Sequence, residues 1–190
     1  MQREKEEDLI KEALKGENDA FEALLHPYRQ GILNMAYHLT GDLEEAKEVC
    51  QNAYIKIFKY LGSFKPERSF KNWLYKTVIN CSYDSLNKRK RAGQMIESHK
   101  DLIMHQEYDP EENYLRKEIR SKLKKCLKVL SPKEMAVFLL RDKEGYSVNE
   151  TAEILKSSSI SVRANLSRAR QKLRIQFEKV YPEKIREVKR

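Results

Sequence analysis

Apolar side chains recur at helical spacing along the first 40 residues, with short polar breaks between the repeats. A short amphipathic helix is predicted over residues 9–14 and ends at Gly16. Asn18 or Asp19 is then placed to cap a second helix. Pro27 falls inside that second apolar pattern. Because proline removes a backbone donor and clashes with the preceding turn, it predicts a kink, or a helix that restarts there.

Two further helices are predicted before residue 91. A third begins after Asp42 and a fourth near Ser69, the latter extending to about Lys90, with residues 62–66 as the loop between them. The third helix places one apolar face at Ala46, Val49, Cys50, Ala53, Ile57 and Leu61. Four helices with short connections are typical of a bundle-like module.

The C-terminal part of the chain predicts four more helices. They span residues 114–130, 133–143 and 147–155, with a long final helix after residue 158. Ser131 and Pro132 have the residue types that begin a helix, and Ser147 with Glu150 forms a capping box. The apolar positions of the final helix are Ile160, Val162, Leu166, Ala169, Leu173 and Phe177.

An acidic stretch over residues 96–113 breaks the apolar periodicity and contains Asp109–Pro110. It is predicted to be a flexible linker, which divides the chain into domains 1–95 and 114–190. Only 6 glycines and 5 prolines occur in 190 residues, which argues against a turn-rich β fold. The predicted fold class is therefore all-α, with two small helical domains joined by that linker.

The charge distribution indicates a polyanionic partner. The chain carries a net charge of +9, and residues 156–190 hold 11 basic and 3 acidic side chains, a local excess of +8. Nucleic acid fits this excess better than an anionic membrane does, although a solvated helical surface is the alternative for charge alone. No apolar run approaches the ~20 residues that span a bilayer, and no signal peptide is evident, so a cytoplasmic protein without membrane insertion is expected.

Residues 146–174 have the form of a helix-turn-helix. Ala152 is small enough for two helices to cross closely, and Val162 and Leu166 point inward from the second helix. The outward positions are then Arg163, Asn165, Ser167, Arg168 and Arg170. Arginine and asparagine form paired hydrogen bonds with guanine and adenine in the major groove. Lys156 and Ser157 stand in the turn where a glycine and an apolar residue are usual, and a generic basic helical hairpin is the alternative.

A second pattern lies on the predicted fourth helix. Six residues spaced three or four apart share one face: Trp73, Lys76, Asn80, Tyr83, Asn87 and Lys90. Aromatic rings alternating with amides and cations can stack unpaired bases and hold the adjacent phosphates. The alternative is that Trp73 anchors the core and that the basic run 88–91 is a solvated helix end.

These residues carry a family resemblance. The chain resembles a bacterial RNA polymerase sigma factor of the extracytoplasmic-function type, which keeps only regions 2 and 4 of its family. The first match covers residues 19–25, 46–54 and 70–80, with Asp84 and the basic run 88–91. The second covers residues 130–134, 139–142, 144–147, 150–155 and 166–174.

The resemblance implies that residues 1–95 bind core RNA polymerase and the −10 promoter element, and that residues 114–190 bind the −35 element. Contacts with the −35 duplex are implied for Arg141, Arg163, Ala164, Asn165, Ser167 and Arg168. Capture of an extruded −10 base and its strand is implied for Lys56, Phe64, Asn80, Tyr83 and Asn87. Polymerase contacts are implied for Glu48, Gln51 and Asn52. The partners implied are core polymerase, promoter DNA and an anti-sigma factor, with no cofactor, metal, catalytic residue or small-molecule substrate.

Four positions depart from the family pattern. Cys50 and Asn52 stand where an aliphatic and an acidic residue are usual, in the helix implied to contact the polymerase. Ala164 and Asn165 replace a frequent serine and arginine, which leaves the −35 sequence open.

Two other classes of protein compete with this interpretation. A free-standing helix-turn-helix regulator would dimerise and bind duplex DNA by itself, with residues 1–91 as a ligand or dimerisation module. A nucleic-acid enzyme would need clustered carboxylates, a nucleophile beside a base, or a phosphate-binding loop. The acidic residues fall on helix surfaces, and His26, His38, His99 and His105 are scattered, which argues against an enzyme.

Overall fold

The computed structural model describes residues 2–65, 67–93 and 114–181, and every regular element in these ranges is helical. The chain divides into two compact units, the N-terminal unit within residues 1–96 and the C-terminal unit within residues 97–190. The predicted linker over residues 96–113 lies outside the described residues. The all-α fold class with two helical domains is confirmed.

The N-terminal unit contains five α-helices and two short 3₁₀ turns among its described residues. They are α1 (Gln2–Leu14), α2 (Asn18–Leu25), a 3₁₀ turn (His26–Tyr28), α3 (Arg29–Thr40), α4 (Leu43–Tyr60), a 3₁₀ turn (Leu61–Ser63) and α5 (Phe70–Arg91). The restart predicted at Pro27 is confirmed, since the 3₁₀ turn separates α2 from α3.

Local capping explains where these helices begin. Asp42 accepts a hydrogen bond from the Glu45 backbone N–H at 2.9 Å, and Ser69 accepts one from Asn72 at 3.3 Å. The cap predicted at Asn18 or Asp19 is wrong. The N-cap is Glu17, whose side chain makes no capping hydrogen bond, because the chain reverses at Gly16 (φ +97°) and Asn18 is already helical.

The core of the N-terminal unit lies where α3, α4 and α5 pack together. All six residues predicted on the apolar face of α4 and its end are buried, and α5 contributes an almost fully buried set of Phe70, Leu74, Tyr75, Val78 and Ile79. Packing on this side leaves the opposite face of α5 toward solvent. Three of the six residues of the predicted stripe, Asn80, Asn87 and Lys90, are exposed there, whereas Trp73, Lys76 and Tyr83 are partly buried.

The C-terminal unit contains four α-helices and one π-helical turn among its described residues. They are α6 (Tyr114–Leu127), α7 (Pro132–Phe138), a π turn (Leu139–Lys143), α8 (Val148–Ile154) and α9 (Ser159–Val180). Both predicted starts are confirmed, because Ser131 with Glu134 and Ser147 with Glu150 form complete capping boxes. α6 ends three residues before the predicted Leu130.

The helix-turn-helix is formed by α8 and α9. Val137, Ala152, Val162 and Leu166 form its buried cluster, with Val148 and Leu155 packed against it. Lys156 adopts φ +48° in the turn, and the Ser157 N–H donates to the Ala152 carbonyl at 2.9 Å. Lys156 therefore occupies a left-handed conformation that a glycine adopts without strain.

Ile160, one of the apolar positions of the predicted final helix, is 77% exposed and does not belong to its buried face. Val162, Leu166 and Ala169 define the buried face of α9. Ile160 lies two residues before Val162, which at about 100° per residue turns it to the opposite side of the helix. Phe177, also in the predicted apolar pattern, is 44% exposed. Among the described helices, none combines the length and hydropathy required to cross a bilayer.

Candidate nucleic-acid interface

The exposed face of α9 presents most of the side chains predicted to contact duplex DNA. Arg163, Ala164, Ser167 and Arg168 are exposed. They lie opposite the face that packs onto α7 and α8, which holds α9 in place. An exposed helix with this composition has the dimensions and donors required to enter a major groove.

Asn165 differs from its neighbours because its side chain is partly buried and already engaged. Its Nδ2 donates to the Ser161 carbonyl at 2.8 Å and to Ser161 Oγ at 3.3 Å. Its Oδ1 accepts from Arg168 Nη2 at 3.1 Å. In this arrangement Asn165 orients the guanidinium of Arg168, so its amide must be released before it can bond to an adenine.

Two arginines near the hairpin are used within the fold. Arg141 is half-buried, its Nη1 donates to the carbonyl of Tyr146 and its Nε is buried, so only its other terminal N–H groups are left for a phosphate. Arg170, predicted to point outward, forms a two-point ion pair with Asp142 at 3.0 and 2.6 Å. This pair joins α9 to the π turn.

A cavity of about 300 Å³ lies between α4 and α5 in the N-terminal unit. Its lining residues are Lys56, Tyr60, Ser63, Trp73, Thr77 and Asn80. Lys56 and Asn80, predicted to frame a base pocket, are therefore brought together. Phe64 does not line the cavity but stacks on Trp73, with ring centroids 5.3 Å apart and an interplanar angle of 29°.

Sequence reasoning missed Tyr60, Ser63 and Thr77 in this lining. Two of them could have been predicted from helical spacing, since Tyr60 lies four residues after Lys56 and Thr77 lies three residues before Asn80. Thr77 also donates a hydrogen bond to the Trp73 carbonyl at 2.9 Å. Ser63 is the last residue of a 3₁₀ turn whose path no simple periodicity predicts.

Lys56 is a cation at the edge of this cavity. Its Nζ lies 3.4 Å from Asp84 Oδ2. The adjacent Cys81 thiol and the Asp84 carboxylate raise the pKa of Lys56, and partial burial offsets this only in part. The ammonium therefore stays charged at neutral pH, beside an exposed amide and an aromatic wall.

The remaining stripe residues differ in exposure. Asn80 and Asn87 are exposed, whereas Tyr83 is partly buried. This burial raises the pKa of Tyr83 to about 12. Trp73 is partly buried and meets Phe70 edge-on at 5.9 Å, which fits an anchor at the edge of the core.

The residues predicted to contact the polymerase lie on the solvent side of α4, where Glu48, Gln51 and Asn52 are all exposed. Glu48 and Gln51 also line an open groove of about 670 Å³ between α3 and α4. Ile55, 63% exposed, continues the same helix surface. This surface combines amides, one carboxylate and an apolar side chain, a composition suited to a protein partner.

Comparison with known proteins finds two family models in the order of the two units. The model of Sigma-70 region 2 matches residues 24–92, and the model of Sigma-70 region 4 matches residues 120–173.

Several curated proteins are similar over nearly the whole chain. RNA polymerase sigma factor YlaC of Bacillus subtilis is 34% identical over 158 residues, which cover 82% of this chain and 91% of that protein. RNA polymerase sigma-H factor of Pseudomonas aeruginosa is 27% identical and covers 89% of this chain and 92% of that protein. ECF RNA polymerase sigma factor SigW of Bacillus subtilis is 27% identical, with 88% and 94% covered.

Two solved structures share the fold. The sigma factor RpoE of Bartonella quintana, crystallised with the anti-sigma factor NepR, superposes with a TM-score of 0.70 at 22% identity, covering 83% of this chain and 96% of that chain. CnrH, in complex with the cytosolic domain of CnrY, gives a TM-score of 0.64 at 22% identity, with 92% and 97% covered.

Proposed function

Because the chain belongs to the RNA polymerase sigma factors of the extracytoplasmic-function type, it directs promoter-specific initiation with core RNA polymerase, and we propose how its two units divide that task. Residues 1–95 hold the polymerase and the melted −10 strand. Residues 114–190 bind the −35 element as duplex. Residues 96–113 connect the two.

The α4–α5 cavity carries the −10 half of this proposal. It holds the Lys56 ammonium, the exposed Asn80 amide and the Trp73 ring within one recess. Extruding a base from the stack costs a few kcal/mol, so a site that captures it must offer an aromatic surface and polar partners for the base edge. The cation supplies a partner for the neighbouring phosphate. Tyr83 and Asn87 extend the strand path along α5, with Phe64 supporting Trp73 from behind.

The exposed face of α9 carries the −35 half. Arg163 and Arg168 supply charged donors, and Ala164 and Ser167 leave room for the helix to approach base edges. Arg141 contacts the flanking backbone through the donors that Tyr146 does not use. The role of Asn165 is to orient the guanidinium of Arg168.

The solvent face of α4, with Glu48, Gln51 and Asn52, is the proposed polymerase contact. An anti-sigma factor is a further proposed partner, supported by the sigma factor RpoE of Bartonella quintana, whose structure is a complex with the anti-sigma factor NepR. The protein acts with the polymerase in the cytoplasm and supplies recognition rather than catalysis.

Promoter opening by reconstituted holoenzyme tests the −10 assignment. Run-off transcription from a genomic library first identifies a promoter, and permanganate reactivity of its thymines then measures strand opening. Asn80→Ala is expected to impair opening while leaving polymerase binding intact. Asn18→Ala removes an exposed amide elsewhere in the same unit and is expected to leave opening unchanged. Normal opening by the Asn80→Ala holoenzyme would remove Asn80 from the site.

A further inference from the structure

Ile160 is the most exposed large apolar side chain in the described part of the chain, with 77% of its surface accessible. It lies in the first turn of α9, on the side opposite the buried Val162. Exposing a branched alkyl group to water is unfavourable, and burying it again against another apolar group recovers that free energy. Because Ile160 lies on the helix proposed to face DNA, an apolar group of the DNA itself is the candidate to cover it.

The exposed surface of α9 has a central stripe with a cation on either side. At about 100° per residue, Ile160, Ala164, Ser167 and Gln171 lie within about 40° of one direction. Arg163 is turned about 60° to one side of Ile160 and Arg168 about 80° to the other. The stripe is uncharged, and Ile160 is its only large alkyl side chain.

The first turn of α9 is held in place before any ligand arrives. Ser158 caps it by accepting a hydrogen bond from the Ser161 N–H at 3.1 Å. Ser159 Oγ donates to Asn149 Oδ1 on α8 at 2.9 Å. Ile160 lies between these two anchors, so its backbone position is fixed relative to the rest of the hairpin.

We propose that Ile160 determines specificity by packing against the C5 methyl group of a thymine in the −35 duplex. This inference rests on the proposed function of α9. The thymine methyl is the apolar feature that base edges present in the major groove. The flanking arginines favour DNA over a protein as the occupant, because they would bond to bases or phosphates on either side of the methyl contact. A protein that covers Ile160 instead is an outcome of the test below.

The experiment removes the methyl group from the DNA and the alkyl group from the protein, separately and together. Each thymine of the −35 element in the promoter identified by run-off transcription is replaced in turn by deoxyuridine, which lacks only the C5 methyl. Holoenzyme reconstituted with wild-type chain or with Ile160→Ala is then tested for binding by competition. Wild type should bind about fourfold more weakly when one particular thymine is replaced, the factor expected for one buried methyl-sized group.

Ile160→Ala should weaken binding to the unmodified promoter and show no further loss when that thymine is replaced. Ile175→Ala provides the matched control, because Ile175 is an exposed isoleucine on the same helix, 47% accessible and about 22 Å further along it. It should retain the wild-type response to deoxyuridine.

Three results would overturn the inference. The first is that no deoxyuridine replacement weakens the binding of the wild-type holoenzyme, and the second is that the Ile160→Ala holoenzyme remains as sensitive to the replacement as wild type. The third is a loss of core polymerase binding in Ile160→Ala, which would assign the side chain to a protein contact. Failure of the proposed function would look different, since wild-type holoenzyme would then bind a promoter with a scrambled −35 element as tightly as the intact one.

Discussion

Glu45 lies at the centre of a partly buried network that ties α4 to α5, and its replacement by alanine provides a quantitative test of the N-terminal unit. Its carboxylate accepts a hydrogen bond from Arg89 Nη1 at 2.5 Å and another from Ser85 Oγ at 2.6 Å. The Glu45 and Arg89 side chains are only 13% and 21% exposed. The same Arg89 nitrogen lies 3.4 Å from the Thr40 carbonyl at the end of α3.

Glu45→Ala should reduce the free energy of unfolding of this unit by about 2–3 kcal/mol, because it removes charge-assisted hydrogen bonds and leaves the Arg89 guanidinium partly buried without its carboxylate. Glu44→Ala is the matched control. Glu44 precedes it in the same first helical turn, but its ion pair with Lys47 is exposed, with side chains 74% and 56% accessible. Exposed pairs contribute about 0.2–1 kcal/mol, and both substitutions remove the same favourable charge from the helix N-terminus.

The assay is urea denaturation of the full chain, followed by tryptophan fluorescence. Trp73 is the single tryptophan of the sequence and lies in the N-terminal unit, so its emission reports this unit alone. The Arg89→Ala variant and the double variant complete a cycle that isolates the pair. Free energies of unfolding for Glu45→Ala and Glu44→Ala that agree within about 0.5 kcal/mol would refute the role given to the network.

Three further predictions concern the C-terminal unit. Arg168→Ala should weaken holoenzyme binding by about 1–3 kcal/mol and relax the −35 preference in competition between promoter variants; a uniform loss across all sequences would indicate a phosphate contact. Lys156→Gly should raise the stability by about 0.5–1 kcal/mol in thermal unfolding, because it relieves a left-handed conformation, whereas Ser157→Gly should give no gain. Burial would raise the pKa of Glu134, but hydrogen bonds from Lys172 and Ser131 outweigh it and hold that pKa below its ordinary 4.5. The stability that Glu134 contributes is therefore present above pH 4.5 and is lost as the pH falls through the lowered pKa of the folded state. Glu134→Gln should flatten this acid dependence of the melting temperature. An unchanged acid dependence would contradict the pairing of Glu134 with Lys172.

The helix boundaries were largely predictable because caps are local. Asp42, Ser69, Ser131 and Ser147 each bond to a backbone N–H three residues later, so the sequence contains both partners within one turn. The buried faces of the helices were predictable as well, because the spacing of apolar residues along one helix is also a local property of the sequence. The cap of α2 was predicted wrongly because α2 begins at Asn18 itself, so its N-cap is Glu17, whose side chain makes no capping hydrogen bond.

The candidate site was predictable in its residue types and less so in its contacts. Lys56 and Asn80 line one cavity as expected, since each lies on the exposed part of a helix whose buried face could be identified from its apolar spacing. Arg89 bonds to Glu45 from 44 residues away, a contact that spacing cannot predict. The partial burial of Tyr83 likewise depends on how α5 packs against its neighbours rather than on the sequence of α5.

On α9, the angular position of a residue relative to the buried face decided whether its side chain is exposed. Ile160 belongs to the apolar pattern of the helix, but its angular position relative to Val162 places it outside the buried face. Asn165 was grouped with the DNA-facing residues, but its side chain can bond within its own helix, as asparagine commonly does.

The central claim is that two helical units of one chain act together on a promoter, and only with the polymerase. The most direct measurement is a footprint of the chain on the identified promoter, with and without core polymerase, combined with permanganate detection of unpaired thymines. With the polymerase, the account predicts protection at −35 together with strand opening at −10, and without it only weak duplex binding. Tight binding of a palindromic duplex by the chain alone, as a dimer and without any response to polymerase, would contradict it.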